Sequence, residues 1–118
     1  FSVHTPILGI CLGHQCLAVA NGKSVVQANR LVYGKTTTIT TKASRIMADL
    51  DSSFEVARYH SLVIDGVPSG FQATSHDASG DIMSMEHVHL PIFGLQFHPE
   101  SFLMMNTGNR IIEKFLAL

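Results

Sequence analysis

Three residue types that together perform acyl transfer occur at two places in this chain of 118 residues. Cys11 lies in the segment Gly9-Ile10-Cys11-Leu12-Gly13-His14-Gln15, and His98 and Glu100 lie in Gln96-Phe97-His98-Pro99-Glu100-Ser101. A cysteine attacks a carbonyl carbon efficiently when a histidine takes its proton and a carboxylate orients that histidine. Residues two apart in an extended segment lie on the same side of the backbone, so Glu100 is placed to orient His98. The sequence therefore predicts a Cys…His…Glu catalytic triad.

The glycines around Cys11 predict that it stands on a sharp turn. The pattern G-x-C-x-G is the thiol counterpart of G-x-S-x-G, in which a turn between a strand and a helix exposes the nucleophile. An apolar run precedes the turn and helix-forming residues follow it. Such a turn strains the backbone of the nucleophile, and glycines let the strand and the helix approach closely. The positive end of the helix dipole is then expected to favour the thiolate form of Cys11.

The rest of the chain predicts mostly strands, with one helix near each end. The apolar runs before Cys11 and before His98 are expected to be two strands of one sheet, whose ends bring the catalytic groups together. This pattern predicts the α/β class. The predicted strands cover residues 25–27, 31–41, 54–59, 71–75, 82–86 and 92–97; the predicted helices cover 11–21 and a segment from 107 onward, with a helical turn over 44–51. The last helix is expected to bury one apolar face, formed by Ile111, Ile112, Phe115 and Leu116.

These motifs resemble those of the class I, triad-type glutamine amidotransferases. The segment Arg58-Tyr59-His60-Ser61-Leu62-Val63, with Tyr33-Gly34-Lys35-Thr36, is similar to the amidotransferase subunits of anthranilate synthase and aminodeoxychorismate synthase. The matches run in the expected order through nearly the whole chain, so residues 1–118 are predicted to be one amidotransferase domain. The resemblance implies a flavodoxin-like fold: a mostly parallel sheet with a nucleophile elbow and an added antiparallel region.

The resemblance also implies that the chain corresponds to the C-terminal part of that domain. Family members begin with a strand–helix–strand portion that includes a glycine-rich loop, which supplies one oxyanion-hole amide. This sequence begins a few residues before the elbow strand. We therefore expect an exposed sheet edge and exposed apolar surface.

The resemblance assigns the substrate-binding residues by position. Gln15 is expected to contact bound L-glutamine, and Ser61 and Leu62 to hold its amino-acid end through their backbone. The N–H group of Leu12 is expected to stabilise the oxyanion.

The implied reaction is hydrolysis of L-glutamine through a thioester. Cys11 attacks the carboxamide, and His98 protonates the departing ammonia and then activates water. Ammonia is expected to pass to a synthase partner that aminates chorismate. This interpretation requires no metal and no organic cofactor.

Composition argues against several other classes of protein. A formal charge of −1 gives no electrostatic reason to expect nucleic acid or an anionic membrane as a partner. No apolar run approaches the roughly 20 residues that span a bilayer. Cys11 and Cys16 are close in sequence across the predicted turn and helix, and a disulfide between them would consume the nucleophile. A reducing cytoplasm is therefore expected. Cys16 itself is predicted to lie in the core.

Several alternatives stay open at this point. Carbamoyl-phosphate synthetase small subunits and GMP synthetases share the motif around Cys11 or the triad logic, although the Tyr59–Leu62 segment and Ser101 favour the chorismate enzymes. Two further alternatives are an inactive interaction module that keeps the fold and a hydrolase that uses the same triad on another amide. A zinc site formed by Cys11, His14 and Cys16 lacks a fourth ligand at a recognisable spacing.

Overall fold

The strand before Cys11 and the strand before His98 are neighbours in one sheet. The computed structural model describes residues 5–27, 35–42, 44–48, 50–58, 62–101 and 105–118. Strand β1 (Ile7–Ile10) runs parallel to β8 (Ile92–Leu95), with Gly9 opposite Gly94. Because parallel strands end at the same edge of a sheet, the residues that follow β1 and β8 emerge side by side. The predicted neighbourhood of the two apolar runs is confirmed.

Two helices and six further strands complete the elements of the described residues. Their bounds in chain order are α1 (Leu12–Ala20), β2 (Val25–Gln27), β3 (Lys35–Thr41), β4 (Ser53–Arg58), β5 (Leu62–Ile64), β6 (Phe71–Asp77), β7 (Ile82–His87) and α2 (Met105–Leu116).

The strands form a six-stranded mixed sheet in the order β1-β8-β7-β6-β3-β4 and a small sheet of β2 and β5. The pair β1–β8 is parallel, and the other pairs formed by the described residues are antiparallel. The predicted α/β class with an antiparallel region is thus confirmed. Within the described residues, however, the sheet is mixed and mainly antiparallel rather than mostly parallel, with the parallel part at the end that carries Cys11.

Helix α2 packs against β8, the strand that leads to His98. Phe115 meets Phe93 edge to face, with ring centroids 5.8 Å apart, and Ile111 is fully buried. Edge-to-face aromatic pairs add to the stabilisation that burial already provides. The larger core cluster includes both Phe93 and Ile111; its buried members are Ile39, Ile46, Met47, Val56, Met83, Phe93, Leu95, Phe97 and Ile111.

Three details differ from the sequence predictions. Residues 44–48 form bends and a turn rather than helical turns, although the Ser44 hydroxyl accepts hydrogen bonds from the backbone N–H groups of Ile46 and Met47, each at 3.3 Å, as an N-cap does. Strand β5, which pairs with β2, is not among the predicted strands. Leu116, predicted on the buried face of α2, is 73% exposed. Residues 31–34 of the predicted third strand lie outside the described residues.

No helix within the described segments combines the length and the apolar character needed to cross a bilayer.

Candidate active site

Cys11 occupies a strained turn between β1 and α1. Its φ is 53°, a left-handed value that no other non-glycine residue adopts among the described residues. Its N–H donates to the carbonyl of Leu95 at 2.7 Å, and its own carbonyl accepts the N–H of Gln15 at 3.0 Å. The first hydrogen bond continues the pairing of β1 with β8, and the second is the first hydrogen bond of helix α1. The strand–turn–helix predicted from the sequence is confirmed.

Gly9 allows β1 to lie against the first turn of α1. A Cβ at Gly9 would meet the backbone of Gly13 at 2.7 Å and the nitrogen of His14 at 2.9 Å. A Cβ at Gly13 would meet nothing within 4 Å. The close approach predicted for both glycines therefore depends on Gly9 alone.

The surroundings of Cys11 favour the neutral thiol. Partial burial raises the pKa of the Cys11 thiol above its ordinary value of 9.0, and the negative charge of Glu100 raises it further. The backbone N–H of Leu12, at the start of α1, lowers that pKa but does not outweigh burial. The sequence prediction that the helix would favour the thiolate is therefore wrong for the net effect, although the N–H of Leu12 acts in the predicted direction.

The side chains of His98 and Glu100 form a hydrogen-bonded pair just beyond β8. The Nδ1 atom of His98 lies 2.7 Å from Oε2 of Glu100. The N–H of Ser101 donates to the carbonyl of His98 at 3.1 Å, which closes the turn around the buried Pro99. Helix α2 supports this turn, because Gly108 packs directly on the Pro99 carbonyl, where a Cβ would collide. The predicted contact between His98 and Glu100 is present.

The predicted substrate residue Gln15 lies on the buried side of α1 and reaches β5. Its Nε2 atom donates to the carbonyl of Leu62 at 3.2 Å and to Oε1 of Gln96 at 3.3 Å. The Leu62 side chain is 45% exposed. Ser61, the other predicted substrate residue, lies outside the described residues.

The sequence motifs predict no role for Gln96. It is fully buried, and its Nε2 atom lies 3.9 Å from Sγ of Cys11. The signal in the sequence is an amide inside the otherwise apolar run from Ile92 to Phe97, since a buried polar side chain needs partners.

Cys16 is exposed, so the prediction that it lies in the core is wrong. The buried residues of α1 are His14, Gln15 and Ala18, and Cys16 projects from the opposite side of the helix. His14 is packed against Gly94, where a Cβ would collide with its ring. A zinc site built from both His14 and Cys16 does not suit this arrangement, and no cluster of three metal-ligating side chains occurs in the described part of the chain.

The chain matches known proteins over its whole length. The family model for glutamine amidotransferase class-I matches residues 1–118. Anthranilate synthase component 2 of Mycobacterium tuberculosis is 42% identical over 118 residues, which cover 98% of this chain and 50% of that protein. Aminodeoxychorismate synthase component 2 of Klebsiella aerogenes is 39% identical, and the match covers 98% of this chain and 63% of that protein. The chain thus spans about half to three fifths of these relatives.

Solved structures also match most of this chain. A Thermoplasma acidophilum protein, described as one component of a GMP synthase, is 31% identical, with a TM-score of 0.89 over 97% of this chain and 57% of that one. A Thermotoga maritima glutamine amidotransferase shares the fold, with a TM-score of 0.74 over 95% of this chain and 47% of that one, at 24% identity. With a family model matching from the first residue to the last, the chain belongs to the class I glutamine amidotransferases.

Proposed function

We propose that this chain carries the catalytic residues of a glutaminase, which hydrolyses L-glutamine to glutamate and ammonia. The observation that carries the proposal is the common sheet edge. Cys11 follows β1, the bonded His98–Glu100 pair follows β8, and the two strands are paired in parallel. A nucleophile, a base and a group that orients the base are the parts that acyl transfer requires.

In the proposed reaction, the Sγ atom of Cys11 attacks the carboxamide carbon of L-glutamine after His98 takes the thiol proton. The raised pKa of Cys11 makes this transfer necessary, because burial disfavours a thiolate that is formed in advance. The N–H of Leu12, which already points at the sulfur, would donate to the developing oxyanion. The carbon–nitrogen bond then breaks, and His98 returns its proton to the departing ammonia.

The resulting thioester is hydrolysed in the second half of the reaction. His98 removes a proton from a water molecule, which attacks the thioester carbonyl and releases glutamate and the Cys11 thiol. Glu100 holds Nδ1 of His98 throughout, which fixes the tautomer and stabilises the imidazolium. Glutamine would be held beside Gln15, with Leu62 and Ser61 at its amino-acid end.

We further propose that the ammonia passes to a synthase that aminates chorismate. The support is the identity of 42% and 39% to components of anthranilate synthase and aminodeoxychorismate synthase. Residues 1–118 would act as a single amidotransferase domain, without a metal or an organic cofactor. Cys11 and Cys16 are present as thiols rather than as a disulfide, which suits the reducing cytoplasm.

A second candidate partner is a GMP synthetase. It is favoured by the TM-score of 0.89 to the Thermoplasma acidophilum protein, although the sequence identity of 31% is lower than to the chorismate group. Glutamine-dependent amination assays with each type of synthase distinguish the two partners, since stimulation of glutamate release is expected with only one.

The deciding experiment measures glutamate release with and without the synthase partner for the wild type, Cys11→Ser and Cys16→Ser. Loss of the nucleophile should reduce turnover by at least about 1,000-fold, as removal of a triad nucleophile does in other enzymes. Cys16→Ser is the matched control, because Cys16 is an exposed thiol on the same helix, and it should keep wild-type turnover.

Two results would contradict the proposal. One is turnover by Cys11→Ser at the wild-type rate. The other is no turnover under any condition together with labelling of Cys11 by a glutamine-analogue electrophile no faster than that of Cys16. The second result would leave a binding module that keeps the fold.

A further inference from the structure

Gln96 is held in a fixed position between the two halves of the candidate site. It directly follows β8, and its backbone N–H donates to the carbonyl of Met83 at 2.9 Å, which extends the pairing of β8 with β7. Its side chain is fully buried. A buried amide with a fixed backbone has few alternative conformations, so its contacts are persistent features of the fold.

The direction of the Gln96 amide follows from its neighbours. The carbonyl of Leu62 only accepts hydrogen bonds, so the atom of Gln15 that faces it must be the donor Nε2. The second hydrogen of that Nε2 then faces Gln96, so the atom of Gln96 on this side must be the acceptor Oε1. The donor Nε2 of Gln96 is left on the other side, where it lies 3.9 Å from Sγ of Cys11.

This orientation of the Gln96 amide affects both Gln15 on one side and Cys11 on the other. Because both Nε2 hydrogens of Gln15 are used, Gln15 offers a ligand its acceptor Oε1, which suits the ammonium group of an amino acid. At the other end, an N–H aimed at sulfur stabilises a thiolate more than a thiol, and a bond to a charged acceptor is shorter and stronger than one to a neutral acceptor.

We propose that Gln96 is a positioning residue whose amide joins the substrate-contacting side chain of Gln15 to the sulfur of Cys11, so that substrate site and nucleophile are set as one unit. The inference deepens the proposed function and rests on it for the roles of Cys11 and Gln15. The donated N–H of Gln96 acts with the N–H of Leu12, and against the burial and the Glu100 charge that disfavour the thiolate.

The first test is the pH dependence of Cys11 alkylation by iodoacetamide in Gln96→Met, which keeps the side-chain size but removes donor and acceptor. The labelling inflection should move upward by about one pH unit, the size expected when a hydrogen bond to a charged group is lost. The Michaelis constant for glutamine should also rise, because Gln15 loses the partner that orients it. Labelling of Cys16 in the same molecule serves as the internal reference, resolved by peptide mass spectrometry.

The matched control is Thr74→Val. Thr74 is also buried, and its hydroxyl bonds to that of Ser84 at 2.6 Å, without a contact to Cys11 in the described structure. This variant should lose stability without moving the Cys11 inflection. An unchanged inflection in a folded Gln96→Met protein would overturn the proposal.

A second measurement uses the wild type, so it holds even if the variant does not fold. The side-chain amide hydrogens of Gln96 are followed by NMR in protein labelled at glutamine nitrogen while the pH is raised. Their signals should shift with the ionisation of Cys11, and the shift should vanish once Cys11 is alkylated. Signals that do not respond to Cys11 would contradict the proposal.

Failure of this inference differs from failure of the proposed function. If the wild type turns over glutamine but Gln96→Met keeps the wild-type inflection, the function stands and the role of Gln96 is wrong. If the wild type releases no glutamate under any condition and a glutamine-analogue electrophile labels Cys11 no faster than Cys16, while the Gln96 signals follow Cys11, the contact stands and the glutaminase proposal is wrong.

Discussion

At the scale of single residues, Cys11 experiences opposing influences. The amide of Leu12 and the side chain of Gln96 direct N–H groups toward its sulfur, while burial and the carboxylate of Glu100 disfavour the thiolate. The net result is a raised pKa. In the proposed reaction the thiol is therefore activated only when His98 removes its proton. That dependence makes the bond between His98 and Glu100 decisive for turnover.

Glu100→Gln tests this dependence at the residue scale. The neutral amide neither fixes the His98 tautomer as well nor stabilises the imidazolium, so turnover should fall by about 100- to 10,000-fold. Steady-state glutamate release measures the effect. Alkylation of Cys11 by iodoacetamide should persist, because the thiol remains in place.

The control for that variant is Glu113→Gln, which changes an exposed carboxylate on α2 and should keep wild-type turnover. Turnover by Glu100→Gln close to that of the wild type would show that His98 does not need this carboxylate.

At the scale of elements, the site depends on how closely α1 lies against β1. Gly9 faces the backbone of Gly13, and backbone atoms cannot yield as the end of a flexible side chain can. The helix start, the strained turn and the bond from Cys11 to Leu95 therefore form one rigid junction. The junction sets where the sulfur stands relative to the turn that holds His98.

Gly9→Ala and Gly13→Ala should have opposite effects. The first forces the helix away from the strand, and we expect it to lower the free energy of unfolding by about 1–3 kcal/mol, the usual cost of overpacking. The second adds a methyl group in open space on a helix, and we expect a gain of up to about 1 kcal/mol. Urea denaturation followed by circular dichroism measures both.

Equal effects of the two substitutions would contradict this view of the junction. Turnover provides a second check, since only Gly9→Ala should displace Cys11.

At the scale of the whole molecule, one ion pair joins the 44–48 segment to the centre of the sheet. Glu86 on β7 is buried and accepts hydrogen bonds from the Ser44 hydroxyl at 2.9 Å and from Nε of Arg45 at 3.3 Å. The Arg45 guanidinium also lies 4.8 Å from the centre of the Phe93 ring and donates to the carbonyl of Leu90. Through these contacts Ile46 and Met47 are held in the core.

Glu86→Ala should therefore destabilise the fold without affecting the proposed catalytic reaction. Removing the carboxylate leaves Ser44 and Arg45 without their main acceptor, and we expect a loss of about 3 kcal/mol in the free energy of unfolding. Urea denaturation measures the loss, and Glu55→Ala, on the exposed side of β4, is the control. An equal loss in both variants would show that the pair is not specifically stabilising. The Michaelis constant for glutamine should stay unchanged in the folded fraction.

Features set by residues close together in the sequence could be predicted from it, and features set by contacts between distant parts of the chain could not. The turn at Cys11 and the pair His98–Glu100 are local, since glycine spacing and a two-residue offset define them. The role of Gln96 is not local, because its contact with Gln15 spans 81 positions and exists only when β1 pairs with β8 in the observed register. The raised pKa of Cys11 is likewise a product of burial, which a linear pattern does not give.

The left-handed backbone of Cys11 means that the protein is less stable with its proposed nucleophile than it would be without it. A side chain held at φ 53° costs roughly 1–3 kcal/mol that a glycine would not incur. A laboratory search for heat-resistant variants, selected for folding alone, would therefore favour Cys11→Gly and discard the proposed chemistry. Directed evolution of this chain needs a screen for activity in every round, since thermal resistance and turnover place opposite demands on the same position.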